Sequence, residues 1–67
     1  MGRTLEGIRT SLSLSQSELG RRVGVSHTMI RRYELGHSEP TISVAFRYAE
    51  NLNITVSELA QLLGRGA

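Results

Sequence analysis

The sequence predicts an all-α domain built from five short helices. Apolar residues recur three and four positions apart along the chain, and no run of alternating residues is long enough for a strand. Glycines and the single proline fall between these periodic segments, where helices end. Because the chain has 67 residues, we expect one domain over residues 1–67, and so small a core gains stability from oligomerisation.

The first two helices are predicted from an apolar stripe and a capping box. The first helix is expected over about residues 3–12, on a stripe formed by Leu5, Ile8 and Leu12. Ser15 and Glu18 form the capping box, in which each side chain accepts the other residue's backbone N–H. It opens a second helix over about residues 16–22, which ends at Gly24 because glycine adopts a positive φ without strain.

The remaining three helices begin after similar capping residues. Ser26 precedes the third helix, and Thr41 precedes the fourth. Thr55 forms a second capping box with Glu58 and opens the fifth. These helices are expected over about residues 27–34, 42–52 and 56–63. One side of the fourth helix, which we expect to face the core, carries the apolar residues Ile42, Ala45, Tyr48 or Ala49, and Leu52.

The composition argues against several classes of protein. The absence of cysteine excludes disulfides, thiolate zinc sites and cysteine nucleophiles. His27 and His37 lack the neighbouring ligands of a metal site, and no nucleophile–base arrangement is present. No apolar segment approaches the roughly 18 residues that span a membrane. We therefore expect a cytoplasmic protein that is not an enzyme, with no catalytic residue, cofactor, metal, small-molecule ligand or membrane contact.

The third helix has two unlike sides when its residues are placed about 100° apart. One side is mainly apolar and carries Met29, Ile30, Tyr33 and Glu34. The other side is polar and carries His27, Thr28, Arg31 and Arg32. A helix fits the ~12 Å major groove of DNA, where arginine bonds guanine bidentately and threonine offers a hydroxyl or a methyl group. The alternative is a merely solvated, charged helix face.

The connection between the second and third helices supports a contact between them. About three residues around a glycine suit two helices that cross steeply. Such a crossing needs a small residue on the second helix, and Gly20 supplies it.

The segment from Gln16 to Gly36 resembles the helix-turn-helix of the Cro/C1-type family, which includes lambdoid phage repressors and restriction–modification controller proteins. Its opening Ser-Gln-x-x-Leu and its ending Tyr-Glu-x-Gly are specific to that family. The resemblance covers about residues 5–63. It implies a five-helix, lambda-repressor-like DNA-binding domain whose helix-turn-helix is formed by the second and third helices.

The resemblance also implies which residues act. The base contacts would be His27, Thr28, Arg31 and Arg32. The phosphate contacts would be Ser15, Gln16, Arg22, His37 and Ser38, and the N-terminus of the second helix suits the same anion. Arg9 and Glu34 match a family pair that forms a salt bridge between the first and third helices. For Arg22 the alternative is pairing with Glu18 along the helix, and for His37 it is an ordinary loop position.

Two residues depart from the family pattern. Gly20 replaces the usual alanine, which we expect to loosen the second helix by up to about 1 kcal/mol. Asn53 replaces the usual glycine at the end of the fourth helix, where asparagine tolerates a positive φ. Neither departure is expected to change the fold.

A dimer is predicted from the end of the chain. Leu59, Leu62 and Leu63 cover more than one side of a short terminal helix, so we expect part of this stripe to pair two copies, with Phe46 or Ile54 contributing. The alternative is ordinary core. A two-fold dimer would hold two recognition helices about 34 Å apart, one turn of B-DNA, and bind a pseudo-palindrome.

The sequence as a whole favours a sequence-specific transcriptional regulator of double-stranded DNA. It would act as a homodimer and as a repressor or autoregulatory controller, with RNA polymerase as a candidate partner. The alternative is a protein-interaction module of the same fold, such as a component of an antitoxin or a coactivator.

Overall fold

The computed structural model describes residues 3–63, and all regular structure within that range is helical. The helices are α1 (Leu5–Ser11), α2 (Gln16–Val23), α3 (His27–Leu35), α4 (Ile42–Leu52) and α5 (Val56–Leu62). The predicted all-α class with five helices is confirmed, and the expected bounds differ from the observed ones by at most two residues. None of these helices is long and apolar enough to cross a membrane.

Every helix begins after a serine or threonine whose side-chain oxygen accepts a backbone N–H of the first turn. These residues are Thr4, Ser15, Ser26, Thr41 and Thr55. Both predicted capping boxes form: Glu18 accepts from the Ser15 N–H, and Glu58 accepts from the Thr55 N–H, each at 3.1 Å. The bond from the Ser15 backbone is the main cause that lowers the pKa of Glu18. Local hydrogen bonding therefore sets where the helices start.

The core lies where α2, α3 and α4 meet, and α5 packs against α4. Leu19, Val23 and Ile30 are completely buried, as is Tyr48. The rings of Tyr33 and Tyr48 stack at a tilt of 50° with their centroids 5.7 Å apart. The Tyr48 hydroxyl is buried and has no hydrogen-bond partner within residues 3–63. Its burial raises the pKa of Tyr48.

Two residues of the predicted apolar stripes lie on the surface. The backbone turns left-handed at Ser13, with a φ of 59°, directly after α1. This turn directs Leu14 into the core, 8% exposed, and leaves Leu12 38% exposed. Ile42 is 78% exposed, because it is the first residue of α4 and a helical side chain leans toward the helix N-terminus, where no described element covers it.

Candidate functional site

The α2–α3 connection is a tight turn that depends on two glycines. Gly24 has a φ of 90°, and the backbone N–H groups of Gly24 and Val25 both donate to the Gly20 carbonyl oxygen, at 2.7 and 2.8 Å. A Cβ on Gly20 would lie 2.5 Å from the Val25 carbonyl oxygen, which is closer than such atoms can approach. The chain can therefore pass this close to α2 only because residue 20 has no side chain.

A buried polar network, formed by Arg9, Glu34, Gln16 and the Leu14 carbonyl, fixes α3 against α1 and α2. Arg9 donates to Glu34 through Nε at 2.6 Å and through Nη2 at 3.4 Å. Its Nη1 donates to the Leu14 carbonyl oxygen at 2.9 Å. Gln16 Nε2 donates to Glu34 Oε1 at 3.0 Å. The two charged side chains are only 9% and 6% exposed, so each is compensated by the other.

The polar side of α3 lies in solvent. His27, Thr28 and Arg31 are exposed, as is Arg32, and we call these four residues the exposed face of α3. On the opposite side of the helix, Ile30, Tyr33 and Glu34 are buried and Met29 is half-buried. The structure thus brings the four predicted base-contacting residues onto one accessible surface.

Arg32 makes a contact that sequence reasoning missed. Its Nε donates to Ser38 Oγ at 2.8 Å, and its Nη2 lies 3.5 Å from the His37 carbonyl oxygen. The loop returns to α3 because Gly36 adopts a φ of 78° and the His37 N–H donates to the Arg32 carbonyl oxygen at 2.9 Å. A glycine terminator followed closely by a serine was the only sequence signal for this contact.

The predicted phosphate contacts lie at the start of α2, on α2 and in the loop after α3. Gln16 and Arg31 line one cleft of about 170 Å³ at the N-terminal end of α2. Ser15 uses its hydroxyl to cap α2, and Ser38 is half-buried beside Arg32. The exposed groups include Arg22 and His37, and within the described chain Arg22 forms no salt bridge with Glu18.

Two of the leucines predicted for the dimer interface are buried within a single copy. Leu59 and Leu62 are 1% and 9% exposed, because α5 packs this side against α4, so both belong to the core of a single copy. Ile54 and Leu63 pack partly against the same core. Phe46 is 55% exposed and lies one turn after Ile42 on α4. The large apolar side chains that α4 exposes are therefore Ile42 and Phe46.

Residues 3–63 contain no group of three or more histidine, aspartate or glutamate side chains that could hold a metal ion.

The comparisons with known proteins agree with this architecture. A family model described as helix-turn-helix matches residues 5–64, so the chain belongs to the helix-turn-helix family, of the Cro/C1 type. A protein of Rhodospirillum rubrum, named an uncharacterized transcriptional regulator in the ATPase CF(0) region, is 33% identical over 66 residues. That alignment covers 98% of this chain and 61% of the relative, so the chain spans about three fifths of that protein's length. No solved structure matches the chain significantly.

Proposed function

We propose that this chain is a sequence-specific transcriptional regulator that inserts α3 into the major groove of double-stranded DNA. The observation that carries the proposal is the exposed face of α3, where four polar or cationic side chains lie opposite a buried side. The family membership and the name of the R. rubrum relative support it. A helix that reads base edges must also be held firmly, and the buried polar network supplies that support.

The position and charge of each side chain determine whether it would contact a base or a phosphate. His27, Thr28, Arg31 and Arg32 project from the helix and would contact base edges, with arginine pairing to guanine. Gln16 begins α2, where unpaired backbone N–H groups attract a phosphate. Together with Gln16, the residues that would contact phosphates on the two flanks are Ser15, Arg22 and His37, whereas the Ser38 hydroxyl already accepts from Arg32.

The regulator would act as a homodimer on a pseudo-palindromic operator. Phe46 supplies the exposed apolar surface, and Ile54 and Leu63, which are only partly buried, would contribute to the interface. An isologous pair places the same side chain twice across a two-fold axis, and the two α3 helices would then lie about 34 Å apart. As a repressor or autoregulatory controller, such a dimer would act at a promoter and meet RNA polymerase there.

Selection of binding sites from random duplexes tests this function. We expect an enriched motif with two inverted half-sites whose centres lie about 10 base pairs apart. Arg31→Ala should weaken binding to the selected duplex by about tenfold, which is 1.4 kcal/mol per half-site, at fixed salt. Arg47→Ala is the control, because Arg47 is also exposed but lies on α4. Failure to enrich any motif, or equal losses in both variants, would contradict the proposal.

A second candidate is a protein-interaction module, favoured by one observation. Ile42 and Phe46 expose apolar side chains on the same stretch of α4, 78% and 55% accessible. A module of this kind would keep its cellular function when Arg31 is replaced and lose it when Phe46 is replaced. The DNA-binding regulator requires Arg31, so comparing the two variants in cells separates the candidates.

A further inference from the structure

Arg32 and the loop after α3 hold each other in place. The side chain of Arg32 donates to Ser38 Oγ and reaches the His37 carbonyl oxygen, at 2.8 and 3.5 Å. The backbone adds a third tie, because the His37 N–H donates to the Arg32 carbonyl oxygen at 2.9 Å. The side chain and the backbone of Arg32 therefore both bond to this loop.

These contacts occupy only one edge of the guanidinium group. Nε and one hydrogen of Nη2 form the side edge, which faces Ser38 and the His37 carbonyl. Nη1 and the second hydrogen of Nη2 form the end edge, to which no acceptor within residues 3–63 is bonded. Two parallel N–H groups on one edge match the O6 and N7 acceptors of guanine.

We propose that Ser38 is a positioning residue that presents the end edge of Arg32 to a guanine. Discrimination between base pairs then depends on a loop hydroxyl that touches no base. This inference rests on the proposed function and replaces the phosphate contact expected for Ser38. A free arginine side chain samples many rotamers, and the bond to Ser38 restricts them before DNA arrives, so less conformational entropy is lost on binding.

The loop has the geometry that this role requires. Gly36 turns the chain with a φ of 78°, and both Gly36 and His37 donate backbone N–H groups to the last turn of α3. Ser38 is itself half-buried, so its hydroxyl is held at a defined distance from the helix. The orientation of Arg32 is thus set by a short, hydrogen-bonded loop rather than by solvent.

The test is a double-mutant cycle on the full chain. Site selection with wild type and Arg32→Ala first identifies the base pair whose preference depends on Arg32. Affinities are then measured for the selected duplex and for one with that pair replaced, using Ser38→Ala and the double variant. Ser38→Thr keeps the hydroxyl, and Ser57→Ala removes one from an exposed position on α5. Circular dichroism checks that each variant is folded.

We expect Ser38→Ala to lower the ratio of the affinity for the selected duplex to the affinity for the altered duplex by about fivefold. In a chain that already carries Arg32→Ala, adding Ser38→Ala should not lower this ratio further. Binding to random duplexes and its dependence on salt should stay unchanged. Ser38→Thr and Ser57→Ala should behave like the wild type.

Two results would overturn the inference and leave the proposed function standing. One is an equal loss of affinity for selected and random duplexes. The slope of log affinity against log salt concentration would then be shallower by about 0.9, as the loss of a phosphate contact produces. The other is an unchanged affinity ratio in folded Ser38→Ala. If the wild type selects no motif at all, the proposed function fails and the inference fails with it.

Discussion

Single residues in this chain are explained by what their polar atoms touch. Arg9 and Glu34 are buried charges, and each satisfies the other while Gln16 and the Leu14 carbonyl complete the hydrogen bonding. Buried polar groups tolerate such surroundings only when they are paired. Tyr48 departs from this rule, since its hydroxyl is buried without a partner in the described range.

Tyr48→Phe tests that departure. Removing an unsatisfied hydroxyl eliminates a desolvation cost while leaving the tilted packing on Tyr33 in place, so we expect the free energy of unfolding to rise by up to about 1 kcal/mol. Urea denaturation followed by circular dichroism measures the change. Tyr33→Phe is the comparison, because the Tyr33 hydroxyl is not among the buried unpaired atoms. A loss of more than 1 kcal/mol in Tyr48→Phe would show that the hydroxyl has a partner.

At the scale of elements, the α2–α3 turn explains the unusual glycine of α2. From the sequence, Gly20 is expected both to loosen the helix and to be the small residue that a steep crossing needs. The structure supports the second role, since a Cβ there would lie 2.5 Å from the Val25 carbonyl oxygen. The close passage of the turn, and with it the placement of α3, depends on the missing side chain.

Gly20→Ala therefore sets two effects against each other. Alanine improves intrinsic helix propensity by about 1 kcal/mol, and overpacking against a backbone atom costs about 1–3 kcal/mol. We expect the overpacking to win and the urea midpoint to fall. Gly7→Ala is the control, because a Cβ on Gly7 would meet only the Thr4 hydroxyl oxygen, at 3.1 Å. The urea midpoint of Gly7→Ala should therefore fall less than that of Gly20→Ala. A Gly20→Ala variant more stable than the wild type would show that the turn moves freely.

At the scale of the whole molecule, the described residues include apolar side chains on α4 that are exposed to solvent. Leu59 and Leu62 are buried in the core, whereas the Phe46 side chain is 55% exposed. A small domain buries a limited fraction of its surface, so pairing two copies adds apolar burial that a single chain lacks. The proposed homodimer places this surface at its two-fold axis.

Phe46→Glu tests the proposed homodimer. Because an isologous interface contains each residue twice, the substitution removes two apolar contacts and adds two like charges, and we expect the dimer dissociation constant to rise at least about tenfold. Sedimentation equilibrium measures it. Leu12→Glu makes the same kind of change at another exposed apolar residue, which follows α1 and is not part of the predicted interface, and should have little effect. A wild-type chain that is monomeric at every concentration, or equal effects of both variants, would count against the dimer.

The sequence by itself determined the helices and the two sides of α3. Capping residues and apolar spacing act over three or four neighbouring positions, so Ser15, Ser26 and Thr55 could be recognised as helix starts without knowing the fold. The same locality explains why the exposed face of α3 could be predicted from its periodicity.

Only the tertiary structure decided which surfaces are covered and which distant side chains meet. Because of the left-handed turn at Ser13, Leu14 is buried in the core and Leu12 is exposed. The packing of α5 on α4 buries Leu59 and Leu62, whose placement in the core or at an interface could not be decided from periodicity alone. The bond from Arg32 to Ser38 spans a helix terminus and a loop. Such contacts depend on how elements pack and how the chain returns, and local propensity carries no information about either.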